Sequence, residues 1–348
     1  MYELIRQCRD NNSLRKSFNQ LADRTFGLSF ESWYQSGYWG DNYIPYSFAK
    51  DGEIIANVSV NRMTHWWEGR LRKFIQLGTV MTDERFRCQG LIRRLMEEIE
   101  RDFQGEAEGV YLFANDTVLD FYPRFGFRKA IEYQYERTVK PSGTEWERKR
   151  AARFADRNRM AKSAVCPADM GNLANTSVCP VDMDNLPERS ALEQAIRENQ
   201  FSGPLAFFGN PGLYMFYFSD FMKENLYYLP ELDVYAAAEF ETMEPAPAAL
   251  PNAKPVSPEI ALTHLYLQAV FSRCPVSLDA VTAAFQNYAE SKASGGRIGK
   301  ITLGFVPEDS RGYVCREHHE EDTTLFVKGR IFDEFETRRV MFPVLGHA

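Results

Sequence analysis

The sequence predicts an α/β protein of two layered domains, the first built on a mixed, mostly antiparallel sheet. Three observations carry this. Strand-like apolar runs are joined by the tight-turn pairs Asp51-Gly52 and Glu68-Gly69. A strand-like run, Phe74 to Thr82, then gives way to a helical pattern from Leu91 to Ile99. Finally, the order strand, strand, helix, strand, strand occurs again near the end of the chain. With 348 residues, 44% of them apolar and 14% aromatic, there is material for two cores. The expected division is a first domain at 1–142, a linker at 143–194 and a second domain at 195–348.

Taken in order, Tyr2 to Cys8 reads as a strand. Asn11 or Asn12 caps a helix to Phe26, whose apolar stripe is Leu14, Phe18, Leu21 and Phe26. A short helix is expected over Phe30 to Tyr38. Strands follow at Tyr46 to Ala49, Ile54 to Arg62 and Lys73 to Thr82. The helix after Gly90 keeps Leu91, Leu95, Met96 and Ile99 on one side. Gly109 to Ala114 reads as a buried strand, Thr117 to Tyr122 as a short helix, and Arg128 to Val139 as returning strands. The charged stretch Arg148 to Arg159 is helix-compatible. Beyond it, Val165-Cys166-Pro167 to Leu173 recurs as Val178-Cys179-Pro180 to Leu186, too short and too few for a solenoid, and so a local duplication in the linker.

In the second domain, Asn210-Pro211-Gly212 opens a helix in an aromatic-rich segment, Phe201 to Tyr228, and Leu232 to Glu241 is a strand. Five prolines make Glu244 to Pro258 a loop or extended arm. Ile260 to Phe271 is a strand. Leu278 to Tyr288 is a helix capped by Ser277, with Val276 as its staple residue. Lys300 to Val306, Thr323 to Val327 and Arg339 to Leu345 are the closing strands.

A net charge of −7 excludes a bulk electrostatic nucleic-acid binder and requires any phosphate site to have its own cations. Arg85, Arg87, Arg93 and Arg94 are such a cluster. Six scattered cysteines without a CxxC pair argue against a metal site. The start lacks a leader-like pattern, and no apolar run is long enough to span a bilayer. A cytoplasmic protein with reduced thiols and no membrane partner is expected; a homo-oligomer is compatible with the sequence.

The chemistry concentrates in two segments. Arg87-Cys88-Gln89-Gly90-Leu91-Ile92 lies where strand turns into helix, which points several backbone N–H groups and the positive end of a helix dipole at one spot. Phe121-Tyr122-Pro123-Arg124-Phe125-Gly126-Phe127 sets a tyrosine just ahead of a glycine turn into another strand. Together they resemble the acyl-CoA-binding and thiolate-protonating parts of the GNAT acetyltransferase superfamily. The resemblance implies a GNAT fold for the first domain, acetyl-CoA as co-substrate and an amine, small molecule or peptide, as acceptor. It gives Arg87, Cys88, Gln89, Gly90, Leu91 and Ile92 to the pyrophosphate turn, and Val80 and Thr82 to the pantetheine through main-chain groups. Asn115 inherits a hydrogen bond to the cofactor arm. Tyr122 inherits the role of general acid, which a phenol of reference pKa about 10 suits, since it stays protonated beside a forming thiolate.

Ile92 stands where the family usually has Gly or Ala. A bulky residue there is similar to the enhanced-intracellular-survival (Eis-like) branch. That branch carries a second, degenerate GNAT-like half, which 195–348 fits in outline, and it uses the C-terminal carboxylate near the acceptor; here that residue is Ala348. The second half lacks both the Arg-x-x-Gly turn and the tyrosine segment. It reads Ser272-Arg273-Cys274-Pro275 after its strand, and the proline removes an N–H that an anion-binding turn needs. That half is expected to bind no CoA.

For the acceptor, Trp33, Tyr34 and Tyr38, with Phe30, Trp39 and Tyr43, are interleaved with Glu31 and Asp41. Aromatic faces plus carboxylates suit a cationic amine. The same residues also suit a packed helix pair beneath the sheet. No base stands out: His65, read at a hairpin tip, and water are the other candidates. An acyl-CoA-binding regulatory protein without turnover is the alternative to an enzyme, and the presence of Tyr122 favours the enzyme.

Overall fold

A computed structural model of the chain describes residues 2–139, 176–201, 203–243, 262–291 and 296–347. The first half contains β1 (Glu3–Arg6), α1 (Asn12–Phe26), α2 (Glu31–Gln35), β2 (Tyr43–Lys50), β3 (Glu53–Trp67), β4 (Arg70–Thr82), α3 (Leu91–Asp102) and β5 (Gly109–Ala114). Two single-turn helices, Asp116–Val118 and Tyr122–Phe125, lead to β6 (Arg128–Lys129) and β7 (Glu132–Thr138). The second half contains β8 (Cys179–Pro180), α4 (Leu186–Arg197), β9 (Leu205–Phe208), α5 (Pro211–Ser219), β10 (Leu226–Leu229) and β11 (Val234–Thr242). It ends with β12 (Leu262–Ser272), α6 (Leu278–Ser291), β13 (Arg297–Leu303), β14 (Val314–His318) and β15 (Thr324–Lys328).

Local signals set the helix ends. The Asn11 side chain accepts from the N–H groups of Ser13 and Leu14, and Gly27 ends α1 in the left-handed region. Asn210 caps α5 by accepting from Leu213 N–H. Leu91, Leu95, Met96 and Ile99 of α3 are buried against Ile55, Val58 and Leu112 on one face of the first sheet. Phe18 and Leu21 of α1 pack with Trp33, Trp39 and Tyr43 on the other.

The first sheet runs β1-β2-β3-β4-β5-β15-β6, with β9 added to the far end of β3; the second runs β14-β7-β13-β12-β11-β10-β8. Each half thus lends its last strand to the other. β15 enters between β5 and β6, pairing Thr324–Lys328 with Ala114–Val110. β7 enters between β13 and β14. A shared core of Trp67, Phe74, Tyr111, Phe332, Phe335 and Phe342 fills the seam.

Several expectations are corrected. β3 runs on to Trp67, because β9 pairs with Thr64–Trp67, so His65 is a paired residue near the end of the strand rather than part of the hairpin tip itself. Arg339 to Leu345 is not a strand: Pro343 lacks an N–H, and the segment is irregular up to a single turn at Val344–Gly346. The second copy of the duplicated segment is not mere linker, since Cys179–Pro180 pairs with β10 and Leu186 opens α4. Its first copy, the stretch at 148–159 and the proline-rich arm at 244–258 lie outside the described residues. Cys8, Cys88, Cys179 and Cys315 are free, whereas Cys274 is disulfide-bonded, which departs from reduced thiols throughout. Among the described residues, no helix is long and apolar enough to cross a membrane.

Candidate active site

The central strands part company. β4 and β5 are parallel and pair only from Phe74↔Gly109 to Leu77↔Leu112. Beyond that point β4 continues to Thr82 and β5 to Ala114 without pairing to each other. A bulge in β4 drives the split: Asn57 faces Met81 and Ser59 faces Gly78, so Val58 alone opposes Thr79 and Val80. Thr79 has φ 47°, an unfavourable region for a β-branched residue that costs about 1–3 kcal/mol. It is held there by its carbonyl, which accepts from Asn57 Nδ2 at 2.9 Å, and by its hydroxyl, 2.8 Å from Tyr43 Oη. The result is a wedge with unpaired strand edges, and Val80 and Thr82 lie along it.

The turn from β4 to α3 closes one side of the wedge. Cys88 has φ 61° and Gly90 φ 70°. Gly90 is the N-cap of α3, and no described side chain caps the helix. Residues 87–90 are exposed, so the free N–H groups of the first turn face solvent as an anion cradle. Leu91 and Ile92 contribute only main chain, because their side chains pack into the core beneath. Gln89 accepts from Tyr2 Oη at 2.6 Å. The arginine cluster divides: Arg85 is bound by Asp83 at 2.9 Å, Arg87 pairs with exposed Glu84 at 3.3 Å, and Arg94 lies 4.5 Å over the Phe48 ring. Arg85 is therefore committed within the protein.

Across the wedge, Asn115 follows β5. Its amide donates to Asp322 Oδ2 at 3.1 Å, and Asp116 N–H donates to the same carboxylate at 2.9 Å. A cofactor arm would share Asn115 with this loop of the second half. Tyr122 starts a single-turn helix that Gly126 ends at φ 80°. It is buried against Phe121, Phe127 and Phe326. Burial pushes its phenol up to about 12. The group therefore stays protonated at any physiological pH.

A cavity of about 340 Å³ adjoins the wedge, with Thr79 of the bulge and Phe113 of β5 in its wall. Its other walls come from both halves: Phe30 and Trp33 on one side, Leu213, Phe216 and Tyr217 of α5 on the other. Of the acceptor residues expected from sequence, Phe30, Trp33 and Tyr43 reach this cavity; Tyr34, Tyr38, Trp39, Glu31 and Asp41 do not. Glu31 is bound by Arg15 at 3.0 Å and Asp41 by Arg9 at 2.8 Å. The Tyr34 ring lies under the Arg15 guanidinium at 3.7 Å, and the Tyr38 hydroxyl donates to Glu193. No Asp or Glu is among the described lining residues. A larger cleft, about 590 Å³, lies at the other end of α3 beside Phe103 and the start of β5, with Phe125 and Phe127 of the Tyr122 segment in its wall.

His65 cannot act as a base here. It is fully buried, its Nε2 lies 3.0 Å from Tyr111 Oη, and burial pushes its imidazole down to about 3. Ala348 lies outside the described residues, but His347 before it lines the cavity. The His347 ring stacks on Phe113 at 3.7 Å, and its carbonyl accepts from the Tyr217 hydroxyl. Its Nε2 is shielded from solvent and has no partner among the described residues. Sequence reading missed Thr79, Phe113, Phe216, Tyr217 and His347. The aromatic richness of Phe201 to Tyr228 was the one signal, and it did not say what those rings face.

Residues 3–127 match the acetyltransferase (GNAT) family. A comparison with curated proteins yields no match. Among solved structures, the chain is similar to a probable N-acyltransferase from Enterococcus faecalis V583, at 12% identity and TM-score 0.53, covering 94% of this chain and 72% of that one. It is also similar to a GCN5-related N-acetyltransferase from Anabaena variabilis, at 12% identity and TM-score 0.50, with 94% and 72% covered. Eis1 from Mycobacterium abscessus aligns at 15% identity and TM-score 0.49, covering 93% and 73%.

Proposed function

Residues 3–127 belong to the GNAT acetyltransferase family, and on that premise we propose direct transfer of an acetyl group from acetyl-CoA to a primary amine held in the aromatic cavity. The observation that supports this best is the wedge: β4 and β5 separate after Leu77↔Leu112, beside a helix whose first turn is uncapped. The pyrophosphate binds the N–H groups at 88–92, and the pantetheine arm lies along the free edge of β4 at Val80 and Thr82, completing the sheet as an added strand. The thioester then sits where the wedge meets the cavity.

The amine nitrogen attacks the thioester carbonyl, a C–N bond forms and the C–S bond breaks. Tyr122 gives its proton to the departing thiolate and recovers one from solvent. The nitrogen's surplus proton leaves to water. A cavity wall without carboxylates favours the neutral, nucleophilic form of the amine.

The test is a thiol-release assay with acetyl-CoA against a panel of primary amines. Amine-dependent release is expected. Acetyl-CoA binding without release for any amine would make the chain an acyl-CoA-binding protein, and no acetyl-CoA binding at all would remove the site.

A further inference from the structure

The cavity beside the wedge carries more information than the family does. Its surface is aromatic, and its rings pack on one another across the two halves. Phe30 and Phe216, from opposite halves, stack at 5.4 Å with planes 13° apart. Trp33 meets Phe216 edge-on at 5.6 Å. Phe26 and Phe221 line the same cavity yet remain 41% and 54% exposed, two large apolar side chains left in water at its edge.

Polar atoms at the wall are few and mostly occupied. Tyr43 Oη is engaged by Ser59 at 2.9 Å and by Thr79 at 2.8 Å. The Tyr217 hydroxyl is spent on the His347 carbonyl. His347 Nε2 is shielded from solvent and so is not open to a ligand in the cavity. A flexible polycation needs several acceptors or counter-charges along its length, and Glu31 and Asp41, which could have served, are held by arginines elsewhere. A flat ring needs only apolar faces and one polar contact for its substituent.

We infer that the acceptor is a primary amine carried on an aromatic ring, an arylalkylamine. Its ring lies against Phe30, Trp33 and Phe216. Its nitrogen points inward to the wedge at Thr79 and Phe113. Phe221 and Phe26 close over the ring. This rests on the acyltransferase reading, and the rival it excludes is a polyamine or aminoglycoside held by cation–π contact.

The test is calorimetry on the full chain with CoA present, using 2-phenylethylamine, spermidine and kanamycin as probes, beside thiol release with the same amines. 2-Phenylethylamine should bind at least about tenfold more tightly than either polycation, and Phe221→Ala should weaken it about tenfold. Because Phe221 is exposed, that variant should fold normally, which its melting temperature checks. Spermidine or kanamycin binding as tightly as 2-phenylethylamine would overturn the inference. So would an unchanged 2-phenylethylamine affinity in Phe221→Ala. If polycations are acetylated and 2-phenylethylamine is not, the inference fails while the acyltransferase stands. If 2-phenylethylamine binds as described and no thiol appears with any amine, the aromatic site stands and the acyltransferase reading fails.

Discussion

The two halves of this chain build the same device and finish it differently. Each has a parallel strand pair with a helix between its members: β4, α3 and β5 in the first, β12, α6 and β13 in the second. In the first, pairing ends at Leu77↔Leu112 and the strands diverge around open space. In the second, pairing continues to Leu267↔Leu303, and Gly304 N–H adds a bond to Leu267 O at 2.9 Å. The chain's closing segment then covers the gap: Val344 N–H donates to Gly304 O at 2.9 Å. The turn that answers to Arg87–Ile92 is also occupied, since Arg273 grips Asp233 at 2.8 Å and Ser272 N–H is held by Asn199. Topology alone therefore does not keep a wedge open; what occupies its mouth decides. The same closing segment that plugs the second wedge delivers His347 to the cavity of the first.

The largest effect that would break this contrast is expected at Tyr122. Tyr122→Phe keeps the ring and removes the proton donor, so kcat should fall by roughly 10²–10⁴-fold with acetyl-CoA affinity little changed. Equal turnover in steady-state assays, with chemistry rate-limiting, would return Tyr122 to the role of core filler.

Next is the seam between the halves. Glu132 opens the lent strand β7, accepts Phe342 N–H at 2.8 Å and is pushed up to about 8 by burial. Its folded pKa lies above the unfolded value of about 4.3, so this carboxyl does not penalise folding below that value. Stability should then decline as pH rises towards 8, by on the order of a few kcal/mol in total. Glu132→Gln should flatten that slope in denaturant titrations run between pH 4.5 and 8; an unchanged slope would show that the carboxyl is not held neutral.

A matched pair of valines sharpens the comparison directly. At Gly304 an added Cβ would lie 2.6 Å from Val344 Cγ2 and 2.9 Å from Gln268 Cα. Gly304→Val should cost about 1–3 kcal/mol of stability, seen as a lower Tm, while leaving acetyl-CoA affinity alone. At Gly90 a Cβ meets nothing within 4 Å, but φ is +70°. Gly90→Val should bend the cradle and weaken acetyl-CoA by about 1–2 kcal/mol, roughly tenfold in Kd, with a smaller change in Tm. Calorimetry and melting curves that reversed the two outcomes would mean that the wedges had been assigned the wrong way round. Smallest is Arg273→Ala, which loses a half-exposed ion pair and should change stability by no more than about 1 kcal/mol and activity not at all.

Much of this was legible in the sequence where the cause was local. Asn11 as a cap, the Asp51-Gly52 hairpin, the α3 stripe and the Arg87 to Ile92 turn depend on neighbours a few residues away, and each formed as read. The bulge at Thr79 was not legible, because its left-handed backbone is held by Tyr43 and Asn57 from other strands. Glu31 and Asp41 misled for a similar reason: a carboxylate near aromatic residues looks like a substrate anchor until an arginine from α1 or from the loop before it is seen to claim it. The burial of His65 was not legible because β9, which covers it, comes far later in the chain.

By itself, then, the sequence determined the elements, the class of fold and the turn from Arg87 to Ile92, since hydrogen bonding within a turn and the periodicity of one helix are short-range matters. Tertiary structure alone decided which strands the halves exchange, which wedge stays open and what lines the aromatic cavity. Trp33 shows the physical reason: its indole N–H donates to Gly212 O at 2.7 Å. A cavity wall is assembled from side chains that share space rather than sequence, and only the packing of both sheets around one seam brings them together.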